Sequence, residues 1–164
     1  MRYILWVLVF SMALPACAQK KQPRKSKAAT AVAVAPRQTA PVLVFQRTPC
    51  YGTCPAYTAT IFADGRVEYD GQRFVPILGK HTLKLPVATV NQLLSEAKRI
   101  NFNALDERYS YSTSDLPATI ITVQPVGQPL HAVFADEGIP ASLQGYIAYL
   151  KAQLDPLAGI GIDR

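Results

Sequence analysis

Between residues 42 and 157 the apolar positions recur with two different periods. Val42-Leu43-Val44-Phe45-Gln46-Arg47 is rich in strand formers and predicts a first strand. Tyr57 to Phe62 and Arg66 to Asp70 alternate on either side of Ala63-Asp64-Gly65. A two-residue Asp-Gly turn would set Ile61 opposite Glu68. A three-residue loop with a left-handed Gly65 sets Ile61 opposite Val67. Only the second gathers Tyr57, Ala59, Ile61, Val67 and Tyr69 on one face and Thr58, Thr60, Arg66, Glu68 and Asp70 on the other. A one-residue slip would scramble both faces, so the three-residue loop is predicted. Gly71 to Leu85 reads as a loop, then a strand with Lys80, Thr82 and Lys84 outward and His81, Leu83 and Leu85 inward. Pro76 confines this stretch to a sheet edge or a bulge.

The period then changes to that of a helix. Val90, Leu93, Leu94, Ala97 and Ile100 form one stripe behind Pro86, which opens the helix at its first turn, where a missing N–H costs nothing. Lys98 and Arg99 suit the C-terminal end of the dipole, and Asn101-Phe102-Asn103 ends the helix. Asp106 to Pro117 is a polar, aromatic loop. Thr119 to Val123 and Leu130 to Phe134 form a second hairpin about Pro125-Val126-Gly127-Gln128-Pro129. Pro140 opens a second helix with Leu143, Tyr146, Ile147, Leu150 and Leu154 on one stripe. The order predicts one α+β domain over residues 42–157, in two layers. An antiparallel sheet of about five to six strands is packed by two helices, and residues 158–164 form a loose tail.

The ends of the chain differ from its middle. Ile4 to Leu14 is an apolar run of eleven, too short to span a bilayer, after one positive charge. Pro15 breaks it, and Ala16-Cys17-Ala18 fits a signal-peptidase cut that leaves Gln19 first. Leu14-Pro15-Ala16-Cys17 also resembles a lipobox, in which Cys17 becomes the lipidated first residue. Both routes make residues 1–18 an export signal, and place the protein in a bacterial periplasm or anchored to an outer membrane. Residues 19–41 read as a linker, basic and then rich in Ala and Pro. Residues 1–37 carry seven cations and no acid. Ten cations and eleven acids remain, so the net +6 of the chain becomes −1 for the domain. A nucleic-acid-binding fold would carry its basic patch on the domain, so that class is excluded. The tail suits contact with anionic lipid or wall polymer, or serves as a solvated spacer. The domain itself reads as a monomer.

Thr48-Pro49-Cys50-Tyr51-Gly52-Thr53-Cys54-Pro55-Ala56-Tyr57 follows neither period. In an exported chain Cys50 and Cys54 are an even pair in a disulfide-permissive compartment. A bond between them would close a ring of about five residues, worth about 2 kcal/mol in loop entropy, and would fix how the hairpin leaves the first strand. Two other uses of the pair stand beside it. A redox pair usually has C-x-x-C spacing at a helix start, one residue shorter than here. A metal pair would need two further ligands, and only His81 and His131 are on offer.

The stretch from Arg47 to Tyr57, followed by Asp64, Gly65, Val67, Tyr69 and Gly71 and then Tyr109, Asp115 and Pro117, resembles an uncharacterised bacterial family, a domain of unknown function found on exported proteins. The resemblance covers roughly residues 42–155. It implies an envelope-located α+β domain and carries over no established activity.

Candidate chemistry is sparse. His81 and His131 each stand alone in a strand, as hydrogen-bonded structural histidines do. A wall hydrolase would need one of them beside Asp115 and a nucleophile. No residue pattern points to a metal or a cofactor, and there is no G-x-S-x-G. If the 109–117 loop folds over the cysteine corner, Tyr51, Tyr57, Tyr109, Tyr111 and Asp115 would line a groove suited to a sugar, a peptide or a partner surface. The reading that follows is an envelope binding or interaction module with a structural Cys50–Cys54 disulfide and an unidentified envelope ligand or protein partner. Thiol-disulfide redox chemistry is the alternative.

Overall fold

The computed structural model describes residues 40–111, 115–124 and 127–161. The segment expected to be an export signal, residues 1–18 with Cys17, the expected linker before residue 40 and the last three residues lie outside them. The strands are β1 (Leu43–Arg47), β2 (Ala56–Ile61), β3 (Arg66–Arg73), β4 (Gly79–Lys84), β5 (Arg108–Tyr109), β6 (Thr119–Val123) and β7 (His131–Ala135). The helices are α1 (Val87–Arg99) and α2 (Ala141–Leu154). The strands make one seven-stranded sheet in the order β4-β3-β2-β1-β6-β7-β5. All pairs are antiparallel except β5–β7. The fold is α+β.

Alternation decides which face is covered. Leu43, Phe45, Tyr57, Ala59, Ile61, Val67, Tyr69, Ile121, Val123 and Val133 are all at most 2 % exposed. They form one core with Val90, Leu93 and Ala97 of α1 and the complete predicted stripe of α2. Each large side chain buried in this way contributes about 1.5–3 kcal/mol. The Tyr146 hydroxyl donates to the Leu93 carbonyl at 3.1 Å and joins the two helices inside the core.

The first hairpin has the predicted register. Ile61 lies opposite Val67, the Phe62 N–H donates to Arg66 O at 2.9 Å, and Gly65 has φ +85°. Asp64 accepts the Arg66 N–H on its side chain, which closes the loop. The Leu85 N–H then donates to Gly65 O at 2.8 Å, so the hairpin tip is tied to the entrance of α1. Pro86 and Pro140 each stand one residue before their helix, with extended ψ of 137° and 149°. Asn101, left-handed at φ 53°, ends α1 as predicted.

Four details differ from the sequence expectation. The sheet has seven strands because Arg108–Tyr109, read as loop, pairs in parallel with β7 through backbone alone: Phe134 N–H to Glu107 O at 2.9 Å and Asp136 N–H to Tyr109 O at 3.0 Å. Two residues are too few to show a period. β3 runs on to Arg73, past a register shift between Ala56 and Tyr57. His81 sits beside Tyr69 on the helix-facing side of β4, yet it is exposed, because β4 is the sheet edge. The tail is packed as far as Ile160: a 3-10 turn at Asp155–Ala158 and a left-handed Gly159 fold it back, and Ala158 O accepts the Ile77 N–H at 3.3 Å.

Gly71 and Gly145 give a paired test of this packing. A Cβ on Gly71 would stand 2.0 Å from the Ile77 carbonyl oxygen, whereas one on Gly145 would meet nothing within 4 Å. Gly71→Ala is expected to lower stability by about 2–3 kcal/mol. Gly145→Ala, inside α2, is expected to raise it by about 0.5–1 kcal/mol. Urea unfolding midpoints measure both. Equal effects would show that β3 does not approach the 74–78 loop as described.

Candidate functional site

Alternation along β1 puts Arg47 on the same face as Leu43 and Phe45, so a guanidinium is carried to the helix side of the sheet. Such a group needs an anionic partner. It finds Asp155, in the turn after α2. Arg47 Nη1 donates to both carboxylate oxygens, each at 3.0 Å, and the two side chains are only 18 % and 20 % exposed. Tyr57, opposite Arg47 across the β1–β2 ladder, donates its hydroxyl to Asp155 Oδ1 at 2.6 Å. Burial first, and the Asp155 carboxylate second, push the Tyr57 phenol far above its ordinary range. Lys151 lies one helical turn before Asp155, and burial followed by the Arg47 charge lowers its ammonium.

The residues between Arg47 and Tyr57 are fixed in turn. Thr48 exchanges backbone and side-chain bonds with Ala118: its N–H donates to Ala118 O at 2.9 Å, and its Oγ1 accepts the Ala118 N–H at 2.8 Å. Cys50 and Cys54 are joined in a disulfide with Cα atoms 5.7 Å apart. The Gly52 N–H donates to Cys50 Sγ at 3.2 Å inside the ring. Tyr51 stands out at the tip, 92 % exposed. Beside this corner, the Tyr69 hydroxyl donates to Ile77 O at 2.9 Å and holds the 74–78 loop. The Tyr57 and Tyr69 ring centroids are 5.6 Å apart.

One end of the sheet therefore carries the cysteine corner, the β3–β4 loop, the approach to β6 and the chain after α2. Seven large hydrophobic residues are exposed among the described residues. Five of them, Tyr51, Phe74, Leu78, Tyr111 and Leu116, lie in loops at this end. Val87 and Leu130 lie at the other.

The aromatic groove expected from sequence is not assembled. Tyr57 is fully buried, with its hydroxyl on Asp155. Tyr109 is in β5, four strand positions from β2, a separation of about 19 Å. Its hydroxyl accepts the Asp106 N–H at 3.0 Å. Tyr111 packs against Gly138, and Asp115 is exposed with φ 76°. The histidines bond backbone: His81 Nε2 lies 2.9 Å from Leu78 O, and His131 Nε2 lies 3.0 Å from Leu105 O. His131 pairs with Val123, at the far end of β6 from the Asp115 loop, so the two do not meet. Among the described residues no group of three or more His, Cys, Asp or Glu could hold a metal ion, and no helix is long and apolar enough to cross a membrane.

Sequence reasoning missed Asp155, which lies 108 residues from Arg47. The signal that could have found it is the parity of β1: Arg47 shares a face with two core residues and so requires a buried acid.

Fold and corner together define a small α+β domain braced by a disulfide at one end of its sheet. The chain belongs to the family of the domain of unknown function DUF6438, whose model matches residues 41–154. Asp155 is the first residue beyond that match. No curated protein and no solved structure matches the chain.

The buried phenols predict an alkaline limit. Tyr57 and Tyr146 ionise at higher pH folded than unfolded, burial being the first cause in both. Their contribution to stability is therefore complete below about pH 10, the unfolded tyrosine value, and is lost as pH rises above it. Chemical denaturation from pH 8 to 11.5 should show stability falling above pH 10, with a shallower fall in Tyr57→Phe. An identical slope in the variant would contradict the burial of this phenol.

Proposed function

We propose that this is an exported cell-envelope domain that works as a binding or interaction module and meets its partner with the disulfide-braced end of the sheet. The observation that carries this reading is the concentration of exposed large hydrophobics at that end, five of seven among the described residues. Exposed aromatic and aliphatic side chains on braced loops lose little conformational freedom on binding, which favours contact. The 50–54 bond holds the loop that presents Tyr51, and Tyr69 and Ile77 hold the loop that presents Phe74 and Leu78. Export is supported by the apolar run at residues 4–14 and by the disulfide, since such bonds persist in oxidising compartments. The partner is an envelope ligand or protein, with the basic segment before the domain near anionic lipid or wall polymer.

Photo-crosslinking in the native envelope tests the reading. A crosslinking aromatic residue placed at 51, 74 or 111 is expected to capture one common species, and the same residue at 130 is not. Protein recovered from the same fraction should have a mass starting at Gln19 or at a lipidated Cys17, with Cys50 and Cys54 oxidised. Capture at 130 alone, or recovery of the full chain with free thiols from the cytosol, would overturn it.

A further inference from the structure

A cleft of about 480 Å³ lies at the other end of the sheet, lined by the C-terminal half of α1, residues 101–103, Val123 and Gln128. Its volume falls within the roughly 300–1,000 Å³ of small-molecule sites. Asn91, Asn101, Asn103 and Gln128 bring four neutral amides, and Lys98 is the one charged residue among those lining it. Leu94, Phe102 and Val123 supply apolar wall and floor, the last two being only 2 % exposed. Asn91 and Lys98 fall on one face of α1, seven residues apart, two turns of helix. Asn101 is held at the helix end in the left-handed region, its N–H donating to Lys98 O at 3.0 Å. The side-chain amide of Asn103 donates to Gln128 Oε1 over a long 3.4 Å. Among the described residues, no side-chain hydrogen bond engages the amides of Asn91 or Asn101. Each carries two donors and a carbonyl acceptor.

We infer that this cleft is a glycan subsite, built for an acetamido sugar that bears a carboxylate. Amides pair with hydroxyl and acetamido groups, which also donate and accept. The apolar floor takes the C–H face of a sugar ring or an acetamido methyl. One ammonium, with no acid among the lining residues, matches one carboxylate. A dianionic phosphate ligand would call for more positive charge, and a purely apolar ligand would cover the amides of Asn91 and Asn101 without giving them a partner, at a cost. The inference stands independently of the braced end: the cleft shares none of the five exposed residues there.

The test is a titration of the purified, isotopically labelled protein, read at the side-chain amide resonances of Asn91, Asn101, Asn103 and Gln128. The probes are N-acetylmuramic acid, N,N′-diacetylchitobiose (chitobiose below), cellobiose and N-acetylalanine amide. Saturable shifts are expected with N-acetylmuramic acid and more weakly with chitobiose, and neither with cellobiose nor with the peptide analogue. Lys98→Met should weaken N-acetylmuramic acid by about two- to tenfold, the worth of one hydrogen bond, and leave chitobiose unchanged. Asn103→Ala should weaken both. These exposed positions leave the fold intact, which unchanged backbone spectra would verify. Absence of saturation with both sugars, equal response to cellobiose or the peptide analogue, or indifference to both substitutions would overturn the inference.

Discussion

The Asp155 carboxylate accepts Arg47 from β1 and Tyr57 from β2, and the rest of the braced end follows from that convergence. Asp155 opens the turn that contains Ala158. Ala158 O accepts the Ile77 N–H, Ile77 O accepts the Tyr69 hydroxyl, and the Tyr69 ring lies against Tyr57. The circuit closes on itself through three strands, one loop and the chain after α2. A half-buried ion pair alone is weak evidence for stability. Here the carboxylate also takes a phenol, so losing it would leave both a guanidinium and a hydroxyl without their acceptor.

The disulfide and the carboxylate act on different parts of the same segment. Arg47 and Tyr57 are the two ends of an eleven-residue stretch, and Asp155 holds both ends on the helix side of the sheet. The Cys50–Cys54 bond shortens the free path between them, and Thr48 docks the entry on Ala118. What is left outside these restraints is the tip at Tyr51. The geometry therefore presents one aromatic side chain on a short, closed ring, next to a second loop held by Tyr69.

Most of the fold was legible because one face of the sheet is buried. The parity of Tyr57, Ala59, Ile61, Val67 and Tyr69 admits one register, and the structure has it. The α2 stripe was complete for the same reason. Two parts of the fold were not legible. β5 is two residues of backbone pairing with no side-chain period. The packed turn after α2 is only four residues long, too short to show a period, although Leu157, Ala158 and Ile160 all pack on the core. Of the candidate site, the disulfide was readable from an even pair of cysteines behind an N-terminal apolar run expected to be an export signal. The groove was not, because Tyr57 has the parity of a core residue and Tyr109 lies on the far edge of the sheet. Asp155 was hidden by distance along the chain, although Arg47 on a core-facing position called for it.

A double-mutant cycle between Arg47 and Asp155 tests the central claim most directly. Arg47→Met keeps the aliphatic stem and removes the charge, and Asp155→Ala removes the acceptor. Urea unfolding of the wild type, both single variants and the double variant gives their interaction. The account predicts a coupling of about 1–2 kcal/mol, with the double variant less destabilised than the sum of the two. A coupling within about 0.3 kcal/mol of zero would contradict it, and would mean that the cysteine segment is held by its disulfide and the sheet alone.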